Sequence, residues 1–190
     1  MPKVGMEPLR KEAIVRATIA EIGEARSLDV TVTKIANRAG MSSALAHHYF
    51  GGKDQIFLAA MRQLMRDFGD EVLEELADAS PETRADAIVR ACFKSSCFTA
   101  EGISAWISFY GLVQTQPDAM RLCRIYQARL RSNLTHALRG QIPNPNGAAE
   151  TLSALIDGLY LRAVLEEHPN ADQAAAQALA MLTLLRRSGQ

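Results

Sequence analysis

The sequence has no long apolar run and few cysteines. No apolar stretch approaches the roughly 18 residues that a membrane span requires, and residues 1–12 lack the apolar segment of a secretion signal. Cys92, Cys97 and Cys123 form an odd set without a Cys-x-x-Cys spacing, which argues against a disulfide framework and a zinc site. These absences predict a cytoplasmic protein with buried free thiols.

Strand patterns are also scarce. β-branched alternation is confined to residues 29–33, whereas apolar residues recur at helical spacing along the chain. Residues 140–147 hold two prolines and two asparagines and are predicted to be a loop. Ser80 is predicted to cap a helix that has Pro81 at its first position. The prediction is an all-α fold of about nine helices: two short ones within 31–50 and others over 8–23, 53–79, 82–98, 101–114, 118–139, 148–165 and 171–187.

The net charge is zero, but the charges are unevenly distributed. Residues 1–66 carry ten Lys and Arg against six Asp and Glu, a net charge of +4. Residues 67–190 carry eleven against fifteen, a net charge of −4. A small basic module on an acidic body favours a polyanionic partner for the N-terminal part.

Residues 31–50 have the pattern of two short helices joined by a tight turn. Thr31 is suited to cap the first helix, Gly40 to supply the left-handed turn, and Ser42 to cap the second helix. This pattern predicts a helix-turn-helix, whose second helix can enter the major groove of DNA. The side chains expected to pack the two helices on the core are Ile35, Ala36, Ala39, Leu45, Tyr49 and Phe50.

Three consecutive motifs carry a family resemblance. They are Ile-Ala-x-x-Ala-Gly-Met-Ser at 35–42, His-Tyr-Phe at 48–50 and Gly-Gly-Lys-Asp at 51–54. Together they resemble the TetR family of transcriptional regulators. The resemblance implies a DNA-binding domain over residues 1–52, and a helical effector-binding and dimerisation domain over 53–190. It also implies a dimer on a palindromic operator in double-stranded DNA.

The predicted DNA-facing side chains are of two kinds. Residues on the exposed side of the second helix are candidates for base edges, and Thr31, Thr33, Tyr49 and Lys53 for phosphates. Two alternatives remain: Tyr49 as a core residue only, and the adjacent histidines as metal ligands or a catalytic pair. The metal alternative lacks support, because no acidic or Cys ligand lies four residues from either histidine. The predicted set is Thr31, Thr33, Ser42, Ser43, Ala44, Leu45, His47, His48, Tyr49 and Lys53.

The single tryptophan lies in an aromatic cluster. Trp106, Phe109 and Tyr110 share one helical face, and Tyr160 follows Asp157 on a later helix. Aromatic faces suit a quaternary ammonium ion, which has no N–H to donate, and Asp157 would add a negative charge. The alternative is that these rings are plain core and that Asp157 pairs with an arginine.

A second, narrower resemblance concerns the small molecule to which the regulator responds. The opening residues 1–6 and the segments 105–110 and 154–162 resemble BetI-type repressors, which control glycine betaine synthesis from choline. The resemblance implies choline, or a relative such as betaine aldehyde, as the effector. A second hypothesis remains open, in which the protein is a TetR-type repressor of an efflux pump and responds to another cationic or lipophilic ligand.

The last two helices predict self-association. Apolar residues cover more than one stripe of the helix over 148–165, so that helix needs more than one partner. We expect these two helices to form a homodimer interface, the alternative being that they only complete the monomer core. No Ser/His/Asp set, glycine-rich phosphate loop or metal-ligand spacing supports an enzyme, and no cofactor is expected.

Overall fold

The computed structural model describes residues 6–94, 97–166 and 168–188. Across these residues the chain forms nine helices and no strand, which confirms the all-α prediction. Residues 29–33, the strand candidate, lead into a helix that begins at Val32. The opening residues 1–5, which contributed to the narrower resemblance, lie outside the described residues. None of the described helices combines the length and the apolar character needed to cross a membrane.

The helix bounds agree closely with the predicted ranges except around α5 and α8. The helices are α1 (Met6–Ala25), α2 (Val32–Arg38), α3 (Ser43–Phe50), α4 (Lys53–Ala77), α5 (Arg84–Ala91), α6 (Ala100–Thr115), α7 (Pro117–Leu138), α8 (Pro145–Ala163) and α9 (Ala171–Arg187).

The predicted helix over 82–98 is wrong at both ends. Thr83, not Ser80, precedes the first helical residue, and it makes no side-chain capping hydrogen bond. The Ser80 hydroxyl instead donates to Glu82 Oε2 at 2.8 Å within a preceding turn. The helix ends at Ala91, and a tight turn follows in which the Phe93 N–H donates to the Arg90 carbonyl at 3.0 Å. The ring of Phe93 is thereby packed against that of Phe98, with centroids 5.4 Å apart.

The predicted loop over 140–147 is shorter than expected. Asn144 caps α8 by accepting a hydrogen bond from the Gly147 N–H at 3.0 Å, and Pro145 occupies the first turn. Proline fits there because its missing N–H would be unsatisfied in any case. Pro145 was therefore a helix-start signal, whereas Pro143 lies in the loop.

The described helices form two compact units. Among the described residues, the first unit contains 6–64 and 101–120, and the second contains those within 65–100 and 121–188. Helix α4 thus contributes residues to both units. The predicted functional boundary between 52 and 53 does not coincide with this division by packing and stays a prediction.

The first unit is built on α1, α2 and α3. Ile14, Ile22, Ile35 and Ile56 are fully buried, and Ala36 has no exposed surface. A small residue at position 36 permits close packing of α2 with the neighbouring helices α1 and α3. Helices α2 and α3 have only seven and eight residues, so tertiary packing supplies most of their stability.

In the second unit, α9 packs on α5 and α8. The Arg186 guanidinium binds Asp86 with two hydrogen bonds, of 3.1 and 2.6 Å, and so joins α9 to α5. Apolar contact comes from buried residues on each helix, among them Ile88, Leu152 and Leu182. Lys94, just after α5, forms ion pairs with carboxylates of α4, including Glu71 at 3.2 Å.

Candidate nucleic-acid interface and effector site

The turn between α2 and α3 has the predicted geometry. Thr31 Oγ1 accepts a hydrogen bond from the Lys34 N–H at 3.2 Å, and Ser42 Oγ accepts one from the Leu45 N–H at 3.3 Å. Gly40 has φ +67°, a left-handed conformation that suits glycine. Both capping predictions and the glycine turn are confirmed. This local geometry sets the path of the chain into α3.

The packing of α3 differs from the prediction. Ala46 is its fully buried residue, whereas Leu45, Tyr49 and Phe50 are only half-buried. These three residues were predicted to be the main anchors of α3, but they are only partly buried. The anchoring position is occupied by a small residue. This leaves larger side chains of α3 partly accessible.

The predicted DNA-facing residues have the required accessibility. Thr31, Thr33 and Ser42 at the two helix starts are exposed, as are Ala44, His47 and His48 on α3; Ser43, Leu45, Tyr49 and Lys53 are half-buried. The N–H groups at a helix start and the hydroxyl of its cap are suited to phosphate oxygens. The first unit therefore presents an accessible surface at α3.

Tyr49 stands beside two cations of α1. Arg10 Nη1 donates a hydrogen bond to the Tyr49 hydroxyl at 3.4 Å, and Lys11 Nζ lies 5.8 Å from the ring centroid. Lys11 also contacts Glu7 at 2.6 Å, and this hydrogen bond and charge lower the pKa of the Glu7 carboxyl. Glu7 offsets the charge of Lys11, but the hydroxyl still lies beside the Arg10 guanidinium, whose charge suits a phosphate. The sequence alone does not reveal that Arg10 lies beside Tyr49, because 39 residues separate them.

Arg38, the last residue of α2, pairs with two carboxylates of α1. Its Nε is 2.7 Å from Glu21 Oε1, and its Nη2 is 2.5 Å from Glu24 Oε2. The hydrogen bond to Glu24, followed by that to Glu21, raises the pKa of the guanidinium. The pairs join α2 to α1. Helical spacing does not reveal these pairs, because 17 and 14 residues separate the partners.

The adjacent histidines show no metal-site geometry. Within the described ranges, no three His, Cys, Asp or Glu side chains are grouped so that they could hold a metal ion. His47 and His48 are both exposed, and the His48 ring lies 5.5 Å from that of Tyr49. Both histidines are therefore exposed surface residues of α3.

The predicted aromatic residues of α6 lie in the first unit. Trp106 and Tyr110 are partly exposed, and their rings meet edge to face with centroids 6.2 Å apart. Phe109 is 1% exposed and belongs to the core. One of the three predicted rings therefore has the packing that the core alternative described.

Tyr160 of α8 lies in the second unit, within a second group of rings. Its hydroxyl donates a hydrogen bond to the Cys92 carbonyl at 2.6 Å. Its ring centroid is 4.9 Å from that of Phe98 and 6.0 Å from that of Phe93. Burial, followed by the charges of nearby thiols and Asp157, raises the pKa of Tyr160 well above its usual value. Helical spacing does not reveal the two phenylalanines as partners of Tyr160, because neither Phe93 nor Phe98 lies in a helix.

The five predicted effector residues are thus divided between the two units. Trp106, Phe109 and Tyr110 belong to the first, and Asp157 and Tyr160 belong to the second. Asp157 is half-buried and raises the pKa of the Cys123 thiol, after the larger effect of burial. That these residues form one effector site stays a prediction.

Known proteins match this chain along most of its length. The family model for bacterial regulatory proteins of the tetR family matches residues 14–60, and the model for the C-terminal part of BetI-type transcriptional repressors matches residues 81–187. The HTH-type transcriptional regulator BetI of Brucella anthropi is 47% identical over 180 residues, 93% of each chain. That of Agrobacterium fabrum is 46% identical over 172 residues, which cover 89% of this chain and 84% of the relative.

A solved structure shows the same fold. A regulator from Saccharomonospora viridis, solved in complex with choline, has a TM-score of 0.77 and 19% identity, and covers 91% of this chain and 95% of its own. The helix-turn-helix, the helical body and these matches show that the chain belongs to the TetR family of bacterial transcriptional regulators. Within that family it is a BetI-type repressor. It is therefore a regulator and not an enzyme.

Proposed function

We propose that this repressor binds a palindromic operator as a dimer and controls genes that convert choline to glycine betaine. Choline or a related quaternary ammonium ion is its proposed effector. The observation that carries the proposal is the 47% identity, over 93% of the chain, to a regulator named BetI. The exposed face of α3 supports the DNA-binding part, and the ring pair on α6 supports the effector part.

The DNA-binding part rests on the surface of the first unit. Thr31 and Ser42 cap the N-termini of α2 and α3, where free backbone N–H groups favour anions. The Tyr49 hydroxyl, beside the Arg10 guanidinium, adds a further group suited to phosphate. The exposed residues of α3 are small, apolar or histidine. Such residues contact thymine methyl groups or accept and donate single hydrogen bonds, so phosphate contacts account for much of the affinity.

The effector part rests on ring chemistry. A quaternary ammonium ion has no N–H donor, and a ring face attracts it with about 0.5–2 kcal/mol. Trp106 and Tyr110 meet edge to face, and both retain accessible surface. A fold neighbour has been solved with choline bound, which supports this class of ligand.

The dimer part rests on α8 and α9. Leu161 is 56% exposed and Leu184 is 55% exposed, and Leu165, just beyond α8, is 83% exposed. Leucines this exposed favour burial against another surface. In a two-fold dimer the same patch of both copies meets itself, and the two α3 helices then match the symmetry of a palindrome.

Calorimetric titration tests the effector proposal. The ligands are choline, betaine aldehyde, glycine betaine and 3,3-dimethyl-1-butanol, a neutral analogue of choline in which carbon replaces nitrogen. We expect choline or betaine aldehyde to bind, and the neutral analogue to bind about tenfold more weakly or not at all, since a ring quadrupole attracts only the charge.

Variants of the protein locate the site in the same titrations. Trp106→Ala should weaken choline binding at least about tenfold, whereas Tyr126→Leu, which removes a half-buried ring of α7, should leave it unchanged. If none of the cations binds at millimolar concentration, the effector proposal fails while the DNA-binding proposal stands. Equal binding of choline and its neutral analogue would reject the ring mechanism.

A further inference from the structure

The second unit contains a groove that none of the predicted effector residues lines. It lies between α4, α5 and α7 and has a volume of about 730 Å³. That volume is within the range of small-molecule sites, roughly 300–1,000 Å³. Trp106, Phe109, Tyr110, Asp157 and Tyr160 are all absent from its lining. The groove is therefore a separate candidate site.

The floor of the groove is apolar. Val72 of α4, Ile88 of α5 and Leu130 of α7 form it and are 5%, 2% and 3% exposed. The rings of Phe68 and Tyr126 meet edge to face at 5.3 Å and continue it. A ligand with an apolar part would lose water contacts on this surface and be stabilised there.

The rim of the groove is positive. Arg84 of α5 and Arg129 and Arg139 of α7 line it, and no Asp or Glu is among its described lining residues. These three guanidinium groups have no ion pair or hydrogen bond within the part of the chain that the structure describes. Arg131 and Arg186 of the same unit do pair, with Glu150 and Asp86. The rim is thus a local excess of positive charge in an otherwise acidic body.

This charge disfavours a quaternary ammonium ion and favours an anion. Guanidinium groups bind carboxylates with strong, directional hydrogen bonds, and the side chain of Asn133 is a further donor on the lining. The part of α4 that lines the groove, Met65 to Leu76, is roughly 16 Å long at about 1.5 Å per residue. An apolar surface of that length suits a long chain better than a short organic acid.

We propose that this groove binds a long-chain fatty acid. Its carboxylate binds one end of the arginine rim, since Arg129 and Arg139 are about 15 Å apart along the line of α7. Its hydrocarbon chain lies on the floor between α4 and α7. The repressor therefore has a second ligand site, of opposite charge preference to the proposed site for choline. The inference is independent of the choline proposal, since the two sites share no lining residue.

Gly69 provides a test that does not weaken the fold. It lies inside α4 and lines the groove, and a Cβ there would meet no atom within 4 Å. Replacing a helix glycine with leucine favours the helix by up to about 1 kcal/mol. The leucine side chain would at the same time occupy part of the groove. Gly69→Leu should therefore keep or raise the melting temperature while it blocks the ligand.

The experiment is a calorimetric titration of the full chain with myristate below its critical micelle concentration. Its chain-matched controls are methyl myristate and myristyltrimethylammonium, which carry no charge and a positive charge. We expect myristate to bind and both controls to bind at least about tenfold more weakly. Equal binding of all three would overturn the proposal, because the rim would then have no role.

Variants locate the site. Arg129→Ala with Arg139→Ala should weaken myristate binding at least about tenfold, and Gly69→Leu should abolish it. Arg131→Ala, on the same helix but paired with Glu150, should leave it unchanged. Choline titrations of the same variants should not change. Loss of myristate binding in Arg131→Ala, or its persistence in Gly69→Leu, would place the ligand elsewhere and overturn the proposal.

Discussion

Tyr49 combines two environments in one side chain. Its ring is half-buried on α3, and its hydroxyl accepts a hydrogen bond from Arg10 of α1. The core alternative raised by the sequence accounts for the ring but not for the position of the hydroxyl. Packing and the proposed DNA contact can therefore be tested separately, since the ring and the hydroxyl can be changed independently.

We predict that Tyr49→Phe weakens operator binding about two- to twelvefold, because one hydrogen bond to phosphate is lost at a cost of about 0.5–1.5 kcal/mol. The melting temperature should stay within a degree or two, since the ring is retained. Affinity is measured by fluorescence anisotropy across a salt series. Unchanged affinity at every salt concentration would remove Tyr49 from the DNA-binding set.

Tyr160 couples stability to pH. Its pKa is raised in the folded protein above the usual value of about 10, because burial disfavours the phenolate. The folded state thus holds this proton more tightly than the unfolded state. Its contribution to stability is complete below about pH 10 and is lost as the pH rises above that value.

We predict that Tyr160→Phe lowers the free energy of unfolding at pH 7 by about 1–2 kcal/mol, because the Cys92 carbonyl loses its donor. The variant should also lose less stability than the parent between about pH 10 and 11. Urea unfolding at several pH values measures both effects. Parallel pH profiles for the two proteins would contradict the assignment of alkaline sensitivity to Tyr160.

Among the helices, α1 and α6 approach each other closely in the first unit. A Cβ on Gly23 would lie 2.6 Å from the Glu101 carbonyl oxygen and 2.8 Å from its Cα. Both atoms are backbone, so a side chain at position 23 would force α1 and α6 apart. This contact connects the helix that carries Trp106 to the helix that supports α2 and α3.

We predict that Gly23→Ala destabilises the protein by about 1–3 kcal/mol through overpacking. Gly111→Ala is the matched control, since a Cβ at that position of α6 would meet no atom within 4 Å. The control should be stabilised by up to about 1 kcal/mol through helix propensity. Thermal unfolding followed by circular dichroism distinguishes the two. A neutral Gly23→Ala would show that α1 and α6 separate without cost.

At the scale of the whole molecule, the exposed leucines of α8 and α9 are the basis of the proposed dimer. They extend an apolar surface that the second unit itself does not bury. A regulator that reads a palindrome needs two copies of α3 at a fixed spacing of about one helical turn of DNA or a multiple. Loss of the dimer should therefore reduce operator binding even though α3 is unchanged.

We predict that Leu161→Glu combined with Leu184→Glu gives a folded monomer whose operator binding is at least about a hundredfold weaker. Leu73→Glu, which changes a leucine of α4 that is 69% exposed, is the matched control and should remain dimeric. Sedimentation velocity measures the assembly, and circular dichroism measures the helix content. A double variant that still sediments as a dimer would exclude this face as the interface.

The sequence by itself determined most of the helices and the caps of α2 and α3. Thr31, Gly40 and Ser42 were predicted because a cap or a left-handed turn involves hydrogen bonds within a few residues. The end of α5 at Ala91 was not predicted. The turn that follows it is accompanied by packing of Phe93 and Phe98 against Tyr160, which lies more than 60 residues further along the chain. A helical pattern does not reveal such a partner.

Only the tertiary structure decided which distant residues meet. It brought Arg38 to Glu21 and Glu24, Arg10 to Tyr49, and Gly23 to Glu101. It also gathered Arg84, Arg129 and Arg139 around an apolar floor, although these arginines look like ordinary surface residues in the sequence. The physical reason is that spacing along a helix fixes which face a residue occupies, whereas helix packing fixes what that face contacts.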